Sequence, residues 1–217
     1  MTGVTIGGYH CYDDLKMILA RREIGLPEPQ VYTVEIPGRN GILDLTDALF
    51  DGCKFNNREL ALTFVTLSSL TGNEWTDFLS EITEILHGQK LQIIFDEDPD
   101  YYYLGRCSIN SFETNCYRHE VEVACDCAPY KYKLSETTVE LTLTAETAVT
   151  LSNEQMPAIP TIVTDGEITI TYEDSSLVLS EGEWIATDLT LAAGETEWTI
   201  TPTDTATVTI TYQEGRL

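Results

Sequence analysis

Alternation of apolar and polar residues dominates the chain. Leu60, Leu62 and Phe64 fall on one side of a segment that opens with polar Asn56-Asn57-Arg58, which predicts a strand over 60–64. The same reading gives strands at Leu15–Ala20, Val31–Ile36, Leu91–Phe95, Tyr101–Ile109 and Arg118–Asp126, the last with Val121, Val123 and Cys125 on one face. One stretch changes period: Trp75, Phe78, Leu79, Ile82, Ile85 and Leu86 recur at helical spacing. Thr71 and Glu74 have capping-box spacing, Asn73 is an alternative N-cap, and Gly88 closes the helix. Those aromatics read as the core face of an amphipathic helix on a sheet. Pro37, Gly38, Asn40 and Gly41 predict a turn, and Asp96–Asp100 a tight acidic one. The order of elements predicts an α+β domain: an antiparallel sheet or barrel with one helix against it.

After residue 134 only strands are predicted. Val139–Leu143, Glu167–Tyr172, Trp198–Thr201 and Thr207–Tyr212 alternate, and Asp165-Gly166, Glu181-Gly182 and Ala193-Gly194 supply turns. Short strands of this spacing, each with one apolar and one Thr/Glu face, indicate a β-sandwich.

Charge marks the same boundary. From Ser135 onward 15 acidic residues stand against Arg216 alone, out of 36 acidic and 12 basic residues in the chain. Every cysteine and histidine precedes residue 128. The expected domains are therefore 1–134 and 135–217. A net charge of −24 over 217 residues argues against nucleic-acid binding, which needs clustered Lys and Arg. It suits solubility, or a wall past which DNA slides without sticking. No apolar run reaches membrane-span length, and the start at Met1–Gly8 lacks the basic and apolar regions of a secretory signal.

Little catalytic chemistry is visible. His10, His87 and His119 are the only histidines. His87, in the last helical turn, complements the helix dipole. Asp96, Asp98 and Asp100 mimic the first ligands of a calcium loop, but Tyr101 and Cys107 stand where glycine and glutamate are required. Cys11, Cys53, Cys107, Cys116, Cys125 and Cys127 include no CxxC, and read as small buried hydrophobes instead of a zinc site or a disulfide framework. No catalytic residue, metal or cofactor is expected.

Five landmarks, in order, resemble the distal tail protein (Dit) of long-tailed, non-contractile phages and related prophages. They are Pro37-Gly38-Arg39-Asn40-Gly41; Asn57-Arg58 leading into a strand; the helix at about 73–87 ending in His87-Gly88-Gln89-Lys90; Phe95–Tyr103 with Gly105-Arg106; and Cys127-Ala128-Pro129-Tyr130-Lys131-Tyr132.

The resemblance implies a mainly β protein. Residues 1–134 would form a split-barrel-like domain related to tail tube subunits, with one main helix, and 135–217 a galectin-like sandwich. It also implies a structural role at the distal end of the virion tail, after synthesis in the host bacterial cytoplasm. A homo-hexameric ring would join the tail tube protein to the tail-associated hub or tip protein, with DNA passing through its channel and no membrane involved. The sandwiches would be free to dock receptor-binding proteins. Six copies would carry about −144 charges per ring before screening. Arg39, Asn40, Asn57 and Arg58 are the residues expected at subunit contacts or bracing the loop that makes them. The plainer alternative pairs Arg39 and Arg58 with surface acids such as Asp44 and Glu59. Rival functions are a carbohydrate-binding sandwich using Trp184 or Trp198 as a platform, a tail tube subunit, and an enzyme, for which no constellation is seen. Trp198, inside an alternating strand, is expected in the core.

Overall fold

A computed structural model of the chain describes residues 3–49, 53–67, 70, 72–115, 118–173 and 175–217. The chain divides into two compact units, Met1–Lys131 and Tyr132–Leu217.

In the first unit, strands pair antiparallel in the order Tyr9–His10, Val4–Ile6, Lys90–Phe95, Tyr101–Asn115, Arg118–Cys127, Arg58–Thr66, Met17–Ile24. Alternation sorts their side chains. Leu60, Leu62, Phe64, Val121, Val123, Cys125, Cys127, Ile93 and Phe95 are buried on one face. Against that core lies the helix Gly72–Leu86, which buries Ile82 and Leu86 and packs Trp75, Phe78 and Ile85 beside them. Gly88 adopts φ 76°, a left-handed residue just past the helix, and its N–H donates to the Cys107 carbonyl at 2.8 Å. The chain end of the helix is thereby tied to the sheet. His87 adds to that tie: its Nδ1 accepts the Ile109 N–H at 3.1 Å.

Several expectations need adjusting. The strand expected at Leu15–Ala20 is Met17–Ile24. The strand expected at Tyr101–Ile109 runs on to Asn115 past an irregularity between Ile109 and Ser111. Asn73 is inside the helix and is no N-cap, while Thr71 and Cys116 lie outside the described residues. The strand expected over Val31–Ile36 shrinks to Thr33–Val34, paired only with Leu43–Asp44. Its β-branched residues favour extended backbone, but a strand needs a neighbour along its whole length.

The second unit stacks two four-stranded antiparallel sheets. One has the order Thr137–Leu143, Ala206–Tyr212, Thr161–Thr164, Gly182–Ile185. The other has Thr147–Asn153, Gly194–Pro202, Ile168–Tyr172, Ser175–Leu179. Between them lie Leu151, Ile162, Ile168, Ile170, Ile200, Val208 and Ile210, with Trp198 fully buried at the centre. The Tyr212 hydroxyl donates to the Ser152 carbonyl at 2.6 Å, linking one sheet to the other.

Candidate subunit interface

Between strands Met17–Ile24 and Arg58–Thr66 the chain leaves the first unit's sheet as an arm, roughly residues 25–57. It departs at Gly25, whose N–H donates to the Glu59 carbonyl at 2.9 Å. A Cβ at Gly25 would sit 2.9 Å from that carbonyl oxygen, so the close crossing requires glycine. Two short ladders hold the arm: Pro29–Gln30 with Lys54–Phe55, and Thr33–Val34 with Leu43–Asp44. Beyond them the chain turns at Gly38 and Gly41, with φ 84° and 83°. Asp44 then starts a short helix, Thr46–Leu49. Its carboxylate accepts from both the Thr46 hydroxyl at 2.6 Å and the Thr46 N–H at 2.9 Å, which holds its pKa below the ordinary value.

What the arm presents is unusual for a solvated loop. Among the described residues, seven of the nineteen exposed large hydrophobics lie on it: Leu26, Val31, Tyr32, Val34, Ile36, Ile42 and Leu49. Leu26 is 82% exposed, Leu49 60% and Ile42 59%. Single exposed apolar residues are ordinary, but this density on one arm marks a surface that gains by being covered. Sequence reasoning missed these residues. Val31, Tyr32, Val34 and Ile36 read as part of a strand, and the signal for an exposed surface is the interruption of this apolar stretch by Pro27, Pro29, Pro37 and Gly41.

The four residues singled out from sequence fall at opposite ends of the arm. Arg39 and Asn40 are exposed in the far turn. Asn57 and Arg58 are at the root, and no hydrogen bond or ion pair among the described residues links them to the other two. Asn57 Nδ2 donates to Asp126 Oδ2 at 3.2 Å, pinning the root to the neighbouring strand. Arg58 does not pair with Glu59, which points to the opposite face of the strand. It turns inward, 3% exposed, with its guanidinium 5.4 Å from the Tyr103 ring centre and its Nε and one terminal nitrogen without a hydrogen-bond partner. Asp44 turns its Oδ1 to Thr46.

Elsewhere the geometry offers little chemistry. No group of three or more metal-ligating side chains converges among the described residues, and no helix there is long and apolar enough to cross a membrane. Trp198 is sealed in the core, which removes it as a sugar platform. Trp184 is 40% exposed on an edge strand, with its indole N–H donated to the Ser180 carbonyl at 2.8 Å.

No family model and no curated protein matches the chain. Among solved structures it is similar to SPP1 Dit (gp 19.1), described as a paradigm of the hub adsorption apparatus in phages infecting Gram-positive bacteria. The match covers 100% of both chains with a TM-score of 0.71, at 16% sequence identity. The two chains therefore share a fold from end to end. The landmark resemblance and the expected mainly β architecture, with one main helix in the first part and a sandwich in the second, hold at the level of fold.

Proposed function

We propose that the protein is a structural component of a phage tail: a distal tail hub subunit that forms a hexameric ring between the tail tube and the tip protein, with residues 1–134 building the ring and 135–217 facing outward. The observation that carries this reading is the full-length likeness to a hub adsorption protein across both units. The arm supports it. A projecting loop rich in exposed Leu, Ile and Val suits insertion against a neighbouring copy, and a ring uses the same contact at every interface. The net charge of −24 per subunit suits a channel that DNA crosses without binding.

Native mass spectrometry of the full-length protein, backed by negative-stain imaging, tests the reading. A closed hexamer with a central hole is expected, alone or when the neighbouring tail proteins are added. A monomer under both conditions overturns it, and open-ended tubes would identify a tail tube subunit instead.

One observation favours a second reading, sugar binding by the sandwich: the half-exposed Trp184. A glycan array probed with the full-length protein and with Trp184→Ala decides it, because binding lost on substitution would establish a lectin-like role.

A further inference from the structure

Three buried cysteines gather on the core face of the first unit. Cys107 and Cys125 are direct register partners across the antiparallel strands Tyr101–Asn115 and Arg118–Cys127. Cys127 follows two residues on, opposite Gly105, with its sulfur over that glycine. All three are free thiols with no solvent exposure.

The kind of pairing decides what Cys107 and Cys125 can do. In an antiparallel ladder a residue points its N–H and C=O toward the same neighbouring strand, and successive residues alternate sides. Cys107 directs both groups away from Cys125: its N–H donates to the Gln89 carbonyl at 2.8 Å, and its carbonyl accepts the Gly88 N–H at 2.8 Å. Cys107 and Cys125 therefore form a non-hydrogen-bonded pair, the type whose Cα atoms approach to about 4.5 Å with the side chains closest. That spacing falls within the roughly 4.4–6.8 Å that a disulfide spans. The sulfurs are already 3.0 Å apart, the Cys125 thiol donating to Cys107.

We propose that Cys107 and Cys125 are an oxidisable pair that closes into a cross-strand disulfide with a peroxide as oxidant, while Cys127 remains a thiol. The Cys107 thiolate attacks one peroxide oxygen, the O–O bond breaks, and a sulfenic acid and hydroxide result. The Cys125 sulfur then attacks the sulfenic sulfur, the S–O bond breaks, and a second hydroxide leaves. The two thiol protons convert both hydroxides to water. Two thiols and one peroxide thus become one disulfide and two waters, the sulfurs losing the two electrons that the peroxide gains.

The surroundings favour this order of attack. The hydrogen bond from Cys125 draws the Cys107 thiol below its ordinary value despite burial. Cys125 is raised by donating that bond and by burial, and burial pushes Cys127 up to about 12. Burial also excludes bulky thiol reagents, so a small oxidant admitted by local opening meets a pair that is already in position. None of this depends on whether the protein assembles into a ring.

The test uses the full-length protein, purified under reductant and then freed of it. It is exposed to hydrogen peroxide, denatured in excess N-ethylmaleimide, and mapped by fragmentation of its peptides. The expected product has Cys107 bonded to Cys125, Cys127 alkylated, and an intact mass about 2 Da low before alkylation. Its melting temperature should rise by several degrees and fall back on reduction. Complete alkylation of Cys107 and Cys125 after peroxide would overturn the proposal, as would a bond from either to Cys127. The variant Cys125→Ser should stop at a sulfenic acid on Cys107 that dimedone labels when the oxidised protein is unfolded in its presence, and absence of that label would remove the first step. Cys127→Ser should form the bond as the wild type does.

Discussion

The carboxylate of Glu214 accepts from the Lys133 ammonium at 2.7 Å, and the Glu214 side chain is only 8% exposed. The Thr137 hydroxyl donates to the same Oε1, and the Lys133 N–H donates to the Glu214 carbonyl at 3.0 Å. One acid thus gathers the first and last strands of the sandwich unit. Burial alone would raise its pKa, but the Lys133 and Thr137 hydrogen bonds prevail and hold it below the ordinary 4.5. A depressed carboxylate contributes stability that is complete above the unfolded value and is lost as pH falls through the folded one. The sandwich transition should therefore weaken as pH drops below about 4.5, and Glu214→Gln should flatten that acid slope in thermal melts taken across pH. Lys133→Ala should cost about 1–2 kcal/mol at neutral pH, less than a fully buried pair because Lys133 is partly exposed.

Arg58 is a charge without hydrogen-bond partners on two of its nitrogens, set inside an apolar face. The Tyr103 ring, 5.4 Å from the guanidinium, offsets part of its desolvation. Arg58→Met keeps the length and removes the charge, so the first unit's melting temperature should rise by a few degrees. If the guanidinium also braces a subunit contact, the same variant should assemble less well while melting higher. A drop in melting temperature would show that the charge stabilises the fold.

Gly105→Ala should be costly for a different reason. The added methyl would lie 2.3 Å from the Cys127 sulfur and 2.8 Å from the Asp126 carbonyl oxygen. The second contact is with backbone, which cannot swing aside. A loss of about 2 kcal/mol, seen as a fall of roughly 5–10 °C in the first unit's transition, is the expected outcome.

The arm separates stability from assembly. Leu26, Ile42 and Leu49 are exposed, so the triple variant Leu26→Gln, Ile42→Gln, Leu49→Gln should leave the monomer's melting temperature within about 2 °C of wild type. Sedimentation should nonetheless show that it no longer associates. Unchanged association would rule out the arm as the contact.

The elements that could be read from sequence are those whose side chains sort cleanly by period. Leu60, Leu62 and Phe64 announce their strand, and Trp75, Phe78, Ile82 and Ile85 their helix, because burial on one face imposes the repeat. The strands Thr147–Asn153 and Ser175–Leu179 escaped notice although Val149, Leu151 and Leu179 are buried, since Ala148 and Val178 face outward and Asn153 is buried, which blurs the contrast. Val31–Ile36 erred the other way: its composition favours a strand, but pairing is a tertiary fact and reaches only Thr33–Val34. Arg58 was legible in principle. It shares the parity of Leu60 and Leu62, and parity places it on the inner face whatever its charge.

The placement of the three tryptophans gives the molecule its own optical markers. Trp75 stacks on His119 with ring centres 4.2 Å apart, Trp198 is sealed between the sheets of the sandwich, and Trp184 is half in water. An imidazole against an indole face dims its emission, a dry core shifts emission to the blue, and a wetted indole emits to the red. Unfolding of the first unit should therefore register as a brightening and unfolding of the second as a red shift, so one fluorescence titration follows the two units without a label.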